Sequence, residues 1–177
     1  VVGQRIARGA RRGGLSTLDR IVTCSPVMEE LKRRVRSAAQ LDSPVLIYGE
    51  TGTGKELVAE ALHTEGRRCG QSFVSQNCAA IPTNLLESMF FGTEKGSYTG
   101  AVTHKGLFEE ANGGTLFLDE INSMDISLQA KLLKALEEKK VRRLGGSRDI
   151  PFDVRIVAAV NEPPEELLRT GRLREDL

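Results

Sequence analysis

No apolar run in this 177-residue sequence approaches the roughly 20 residues that a membrane-spanning helix needs. The N-terminus also lacks the apolar core of a signal peptide. Neither export nor membrane insertion is expected, and the chain reads as cytoplasmic. Cysteine is scarce: Cys24, Cys69 and Cys78 are three in number and form no close pair. That argues against a disulfide framework and against a zinc knuckle, and a reducing compartment fits best. The two histidines, His63 and His104, are far apart and have no carboxylates at metal-ligand spacing. Each reads as a helix-surface or loop residue without a catalytic role. An excess of one charge is missing as well, with 25 basic against 24 acidic residues. A surface that blankets nucleic acid or acidic lipid is therefore excluded, and any such contact must be local.

What the chain does have is the length of one domain and 40% apolar residues, enough for a sizeable core. Residues 1–17 carry four arginines and four glycines without helical or strand periodicity. They read as a flexible basic linker, with a DNA-contacting arm as the alternative. From Pro26 onward, Val27, Met28, Leu31, Val35 and Ala38/Ala39 recur at helical intervals. The apolar run 45–48 precedes a glycine-rich turn and a second helical pattern of Leu57, Val58, Ala61 and Leu62. The alternation continues with a strand at 73–78, a helix at 83–91, a strand at 115–118, a helix at 127–139 and a strand at 154–160. Alternating strands and helices predict an α/β fold, a parallel sheet wrapped by helices. The nearly uniform apolarity of 115–118 and 154–160 marks central strands buried on both faces. Ligand chemistry in such a sheet belongs at the carboxyl ends of the strands.

At the end of the first of these strands stand Gly49, Glu50, Thr51, Gly52, Thr53, Gly54, Lys55 and Glu56, with the G-x-x-x-x-G-K spacing of a phosphate-binding loop. Glycines let successive N–H groups converge, the following helix contributes its positive end, and Lys55 adds a mobile cation. A nucleoside triphosphate is the expected ligand. The usual magnesium-binding Ser or Thr after the lysine is Glu56 here. Magnesium is therefore expected to be held otherwise, through water and Asp119. The strand at 115–118 ends in Asp119 and Glu120. Paired with the phosphate loop, Asp119 is expected to support Mg2+ and Glu120 to polarise the attacking water.

These residues, together with Phe90-Phe91-Gly92, Glu94-Lys95-Gly96, the block at 106–111 and the block at 113–121, carry a family resemblance. Over residues 18–177 the chain resembles the AAA+ ATPase domain of bacterial enhancer-binding proteins, the activators of sigma-54 RNA polymerase. The resemblance implies a P-loop NTPase of AAA+ type: a three-layer parallel sheet in strand order 5-1-4-3-2, ATP and Mg2+ as cofactors, and a homo-oligomeric ring with ATP between subunits. The segments for the fifth strand and the helical lid would follow Leu177, so an exposed edge on a central strand and weak turnover by these residues alone are expected. The implied partner is the sigma-54 RNA polymerase holoenzyme, with DNA engaged only through a domain outside this sequence.

The resemblance also implies site residues. Gly96, Ser97, Tyr98, Thr99, Gly100 and Ala101 fall where the family has a Gly-Ala-Phe-Thr-Gly-Ala loop, which projects from an interrupted helix and touches the sigma factor. Ser97 replaces Ala, and Tyr98 replaces Phe with an added hydroxyl that wants a polar partner. The strand order puts 154–160 between the phosphate-loop strand and the Asp119 strand, so Asn161 matches the family's first sensor; a strand-end turn residue is the alternative. Asn77 would neighbour Glu120 across one strand spacing and hold its carboxylate in an inactive rotamer. Arg174 aligns with the arginine that reaches a neighbouring subunit's ATP, with a plain surface salt bridge as its alternative. Ile21 and Val22 align with the apolar pair that cradles adenine, although Thr23 stands for the family's Gly. Two other readings fit the same motifs: an AAA+ remodeller of another clade, and a nucleotide-gated regulatory module with little turnover.

Overall fold

The computed structural model describes residues 5–8, 17–79, 81–97 and 102–177. The runs that are apolar throughout become the middle of a sheet. Strands β1 (Arg5–Arg8), β2 (Val45–Tyr48), β3 (Ser72–Asn77), β4 (Thr115–Asp119) and β7 (Arg155–Val160) lie side by side in the order β1-β3-β4-β7-β2. β3, β4, β7 and β2 are parallel, and all six residues of β7 are buried. The phosphate-loop strand β2 thus sits beside β7, and β7 beside β4, as the expected strand order requires.

Period-two alternation divides these strands between two cores. Leu116, Leu118, Ile156, Ala158 and Val160 face α3 (Thr83–Phe91), α4 (Leu107–Glu110) and α5 (Ile126–Glu138), where Leu86, Phe90, Phe108, Leu128 and Leu132 meet them. Phe117, Val157 and Ala159 point the other way, toward α1 (Pro26–Ala39) and α2 (Lys55–Thr64), and pack with Val35, Ala39, Ala59 and Leu62. The result is the three-layer α/β architecture.

Two features depart from the expectation. Arg5–Arg8, inside the stretch read as a linker, forms β1 and runs antiparallel along β3. Without it β3 would present an unpaired row of backbone groups, and a short strand satisfies them whatever its side chains. A hairpin of β5 (Lys140–Arg142) and β6 (Asp149–Pro151) follows α5. Cross-strand charge holds it, with Asp149 accepting from Lys140 Nζ at 2.9 Å and Arg142 Nη2 at 2.7 Å. The chain ends with α6 (Pro164–Arg169) and a short tail.

Buried polar groups anchor α2, the helix that starts at the phosphate loop. Arg155 is buried and donates through Nη1 to Ala39 O (3.2 Å) and Leu62 O (3.3 Å), and through Nη2 to Ala38 O (2.7 Å). One guanidinium thus satisfies C-terminal carbonyls of both α1 and α2. His63, expected at the surface, is only 3% exposed, and its Nδ1 lies 2.9 Å from Thr115 Oγ1. His104 is exposed, as a loop residue would be.

Burial holds the His63 imidazole below its ordinary pKa. The folded protein therefore binds fewer protons than the unfolded chain once the pH falls below the free-histidine value, and stability drops there. Above that value both states are neutral and this slope vanishes. Urea unfolding at pH 7.5 and 5.5 should show the wild type losing more stability than His63→Gln over that interval.

Candidate functional site

Gly49 to Gly54 form the turn between β2 and α2. Gly52 and Gly54 hold φ of 84° and 90°, the left-handed region that a side chain resists. A Cβ on Gly49 would come within 2.8 Å of Thr53 Oγ1, which itself donates to Glu50 O at 2.7 Å. The turn is therefore tight, and it delivers the chain into the first turn of α2 at Lys55. The buried Lys55 Nζ lies inside this loop, 2.8 Å from Gly49 O and 3.1 Å from Glu50 O.

Register fixes the neighbours of the loop. Tyr48 is level with Val160, and Gly49 N donates to Val160 O at 3.2 Å, so Gly49 and Asn161 leave the sheet together. Asn77 is level with Asp119 one strand further on. Four parallel strands therefore present Gly49, Asn161, Asp119–Glu120 and Asn77 along one edge. Glu120 adopts φ 54° and ψ 48°, rare for a residue with a side chain, and its N–H donates to Asp119 Oδ1 at 3.0 Å. The sharp turn breaks the strand and starts the short helical turn Ile121–Ser123.

The Asn77 amide meets a different partner from the one expected. Nδ2 donates to Asp119 Oδ2 at 3.4 Å, and Oδ1 accepts from Ala79 N at 2.9 Å. The register makes Asp119, one residue before Glu120, the group opposite Asn77. Asn161 Oδ1 accepts from Asn122 Nδ2 at 3.1 Å, which ties the end of β7 to the turn after Glu120. Burial, and then the carboxylates of Asp119 and Glu120, push the Cys78 thiol far up, so it stays protonated and is no nucleophile.

Around this edge the remaining candidates scatter. Ile21 packs against the α1–α2 core, whereas Val22 is 92% exposed. Arg174 is bidentate on Asp176, at 2.8 Å from Nε and 2.6 Å from Nη2. Arg172 is likewise paired with Glu162, with one bond at 2.7 Å. Glu50, Thr51 and Glu56 lie at the rim of the loop. No group of three or more His, Cys, Asp or Glu side chains suited to a metal ion occurs among the described residues.

Of the loop read as a contact element, Gly96 and Ser97 are described, while Tyr98, Thr99, Gly100 and Ala101 lie outside the described residues. The stalk is well defined. Helix α3 stops at Gly92 (φ 78°) and α4 starts after Gly106, and the two arms cross at these glycines. A Cβ on Gly106 would lie 2.3 Å from Phe90 O, and one on Gly92 would lie 2.6 Å from His104 O. Thr93 pairs with His104 across the stalk, by bonds of 3.0 and 2.9 Å. Leu144, in the β5–β6 turn, joins as a third rung: Leu144 N donates to Gly92 O and Glu94 N to Leu144 O, both at 3.0 Å.

A charged clamp reinforces that junction. Arg143 donates to Glu109 Oε1 (2.8 Å) and Oε2 (2.7 Å) and to Glu94 Oε1 (3.0 Å). The fork of Arg143 holds the Glu109 carboxyl below the usual carboxylate range. Sequence reasoning missed the clamp of Arg143, Glu94 and Glu109, and missed Asn122 as the partner of Asn161. They are ordinary charged and polar residues, and only the fold brings them together.

No helix among the described residues is long and apolar enough to cross a membrane. Comparison with known proteins places the whole arrangement in context. A family model for the sigma-54 interaction domain matches residues 21–177. The transcriptional activator RocR of Bacillus subtilis is 53% identical over 161 residues, covering 91% of this chain and 35% of that protein. The Nif-specific regulatory protein of Klebsiella pneumoniae is 50% identical over 161 residues, covering 90% of this chain and 31% of its own. This chain thus spans about a third of the length of the curated relatives it matches. Among solved structures, NtrX from Brucella abortus in complex with ATP superposes with a TM-score of 0.80 at 35% identity, over 88% of this chain and 35% of that one. The P-loop NTPase domain of a sigma-54 activator from E. coli shares the fold, with a TM-score of 0.58 at 19% identity over 88% of this chain and 89% of that one.

Proposed function

Because the chain belongs to the family of sigma-54 interaction domains, we propose that residues 18–177 are the core of an ATPase that remodels a sigma-54 RNA polymerase complex. The observation that carries this reading is the row of Gly49, Asn161, Asp119–Glu120 and Asn77 on adjacent parallel strands. The tethered stalk, formed by residues 92–97 and 102–106, rises from the helices beside it.

The residues fit a nucleoside triphosphate. The loop is tight enough that a side chain at Gly49 would collide, its N–H groups precede a helix, and Lys55 can exchange two carbonyls for phosphate oxygens. They also fit Mg2+ held by a single carboxylate, because this ion keeps several waters and takes its other ligands from phosphates. Asp119 would be that carboxylate, and an ion held there would supply positive charge toward the phosphates. Glu120 orients and deprotonates the attacking water. Asn161, steadied by Asn122, senses the terminal phosphate. Asn77 acts on Glu120 through Asp119 rather than by direct contact. Arg174 exchanges Asp176 for the ATP of a neighbouring subunit, which makes a homo-oligomeric ring the working form. Ile21 and Val22 form the adenine side of the site, where a nucleotide would cover exposed Val22.

The output is residues 96–101. Arg143 and Leu144 join the stalk to the β5–β6 turn, so a shift behind Glu120 reaches the loop through α5 and the hairpin. Setting and partners follow: a cytoplasmic protein that meets sigma-54 holoenzyme directly and DNA through a domain outside these residues. Open-complex formation by the full encoded chain tests this reading. Tyr98→Ala should abolish it with ATP binding intact, and Tyr98→Phe should retain it because the ring remains. Normal activation by Tyr98→Ala would mean that the contact element lies elsewhere.

A further inference from the structure

Helix α5 packs Leu128 and Leu132 into the main core, yet Gln129 between them is also fully buried, at 0% exposure. An amide in such a place costs stability unless its groups are paired. All three of its hydrogen bonds go to main chain. Nε2 donates to Met124 O at 3.0 Å and to Arg172 O at 2.9 Å, and Oε1 accepts from Arg174 N at 3.0 Å. Met124 closes the turn that begins at Glu120, since Ser123 N donates to Glu120 O at 2.9 Å and Met124 N to Ile121 O at 3.1 Å. Residues 172 and 174 are the arginines at the chain's far end.

The backbone of the arginine segment is therefore bolted to the catalytic turn, while Leu173 packs against the core and the guanidinium groups of Arg172 and Arg174 stay partly exposed. The Arg174 guanidinium is a third exposed and, among the described residues, reaches Asp176, two residues away. This is the arrangement needed for a side chain that must swing out to a new partner from a fixed origin. A hydrophobic residue would fill the same volume but could hold neither strand of main chain.

We infer that Gln129 is a positioning residue for the trans-acting arginine. It fixes the main chain of 172–174 against the turn that starts at Glu120. The group offered to a neighbouring subunit's ATP is thereby referenced to the subunit's own catalytic carboxylate. This rests on the ATPase reading above, and specifically on Arg174 acting between subunits.

Mixing subunits of the full encoded chain separates this role from a merely structural one. Gln129→Met keeps length and volume but breaks the three bonds. Alone it should keep its KM for ATP within about two-fold, while kcat falls about 100-fold, the scale of a catalytic group misplaced by an ångström. Glu120→Gln subunits have a dead site of their own but a well-placed arginine. An equimolar mixture should therefore recover turnover several-fold above the sum of the two alone, as should a mixture of Arg174→Ala with Glu120→Gln.

If the Arg174→Ala mixture recovers and the Gln129→Met mixture does not, Gln129 is a core residue of its own subunit and the inference is wrong. If Arg174→Ala alone turns over normally, the trans-arginine premise fails and the inference falls with it. Should Gln129→Met not bind nucleotide, Gln129→Glu enters the same mixture. It keeps the length and the acceptor for Arg174 N, and the same two outcomes decide.

Discussion

Glu120→Gln lowers steady-state ATP turnover by about 100- to 10,000-fold, the range a general base contributes, with ATP affinity nearly unchanged. The amide is the same size, so the unusual backbone at φ 54° and the bond from Glu120 N to Asp119 Oδ1 both survive. What disappears is the capacity to take a proton from water. Phosphate contacts from the loop do not involve this side chain, which is why binding persists. Turnover is measured by phosphate release and affinity by titration with a fluorescent nucleotide, on one preparation. If transcription activation survives while turnover is lost, the protein is a nucleotide-gated module rather than a hydrolytic machine; if turnover itself survives, Glu120 is not the base.

Lys55→Ala acts on the other half of the reaction. The Lys55 ammonium lies inside the loop on two carbonyl oxygens, Gly49 O and Glu50 O, and on the proposed function is the cation that meets the terminal phosphates. A hydrogen bond to a charged group contributes about 1.5–3 kcal/mol, so its loss should raise Kd for ATP by about 10- to 150-fold. Lys55→Arg should not rescue it, because a planar fork is larger than the space on those two carbonyls and delivers charge in a different geometry. Direct nucleotide titration checks both variants. An unchanged Kd for Lys55→Ala would remove the loop from the binding site.

The candidate site was legible in the sequence where its motifs are local. The phosphate loop is contiguous, and Asp119–Glu120 ends an apolar strand, so spacing alone located both. The central strands were equally legible because burial on both faces leaves no polar positions to blur the pattern. Partners across the fold were harder. Asn77 was expected on Glu120, and the register puts it on Asp119, a difference of one residue that only strand pairing fixes.

The hairpin strands are three residues each with one central apolar residue, Val141 or Ile150, too short for an apolar pattern to register. β1 is short and arginine-flanked, and its reason to form lies in the open edge of β3 rather than in its own residues. His63 and Gln129 show the same limit from inside. Each sits on a helix among apolar residues, and only the contacts with Thr115 or with Met124, Arg172 and Arg174 explain a polar group there.

The link between ATP and the polymerase is most directly tested by capture of isolated sigma-54 on the full encoded chain. The comparison is between ADP alone and ADP with a metal fluoride that mimics the transferring phosphoryl group. The mechanism proposed for Glu120, the stalk at 92–97 and 102–106, and Tyr98 predicts capture with the mimic, little with ADP alone, and none by Tyr98→Ala under either condition. Equal capture under both nucleotide conditions, or undiminished capture by Tyr98→Ala, would contradict it.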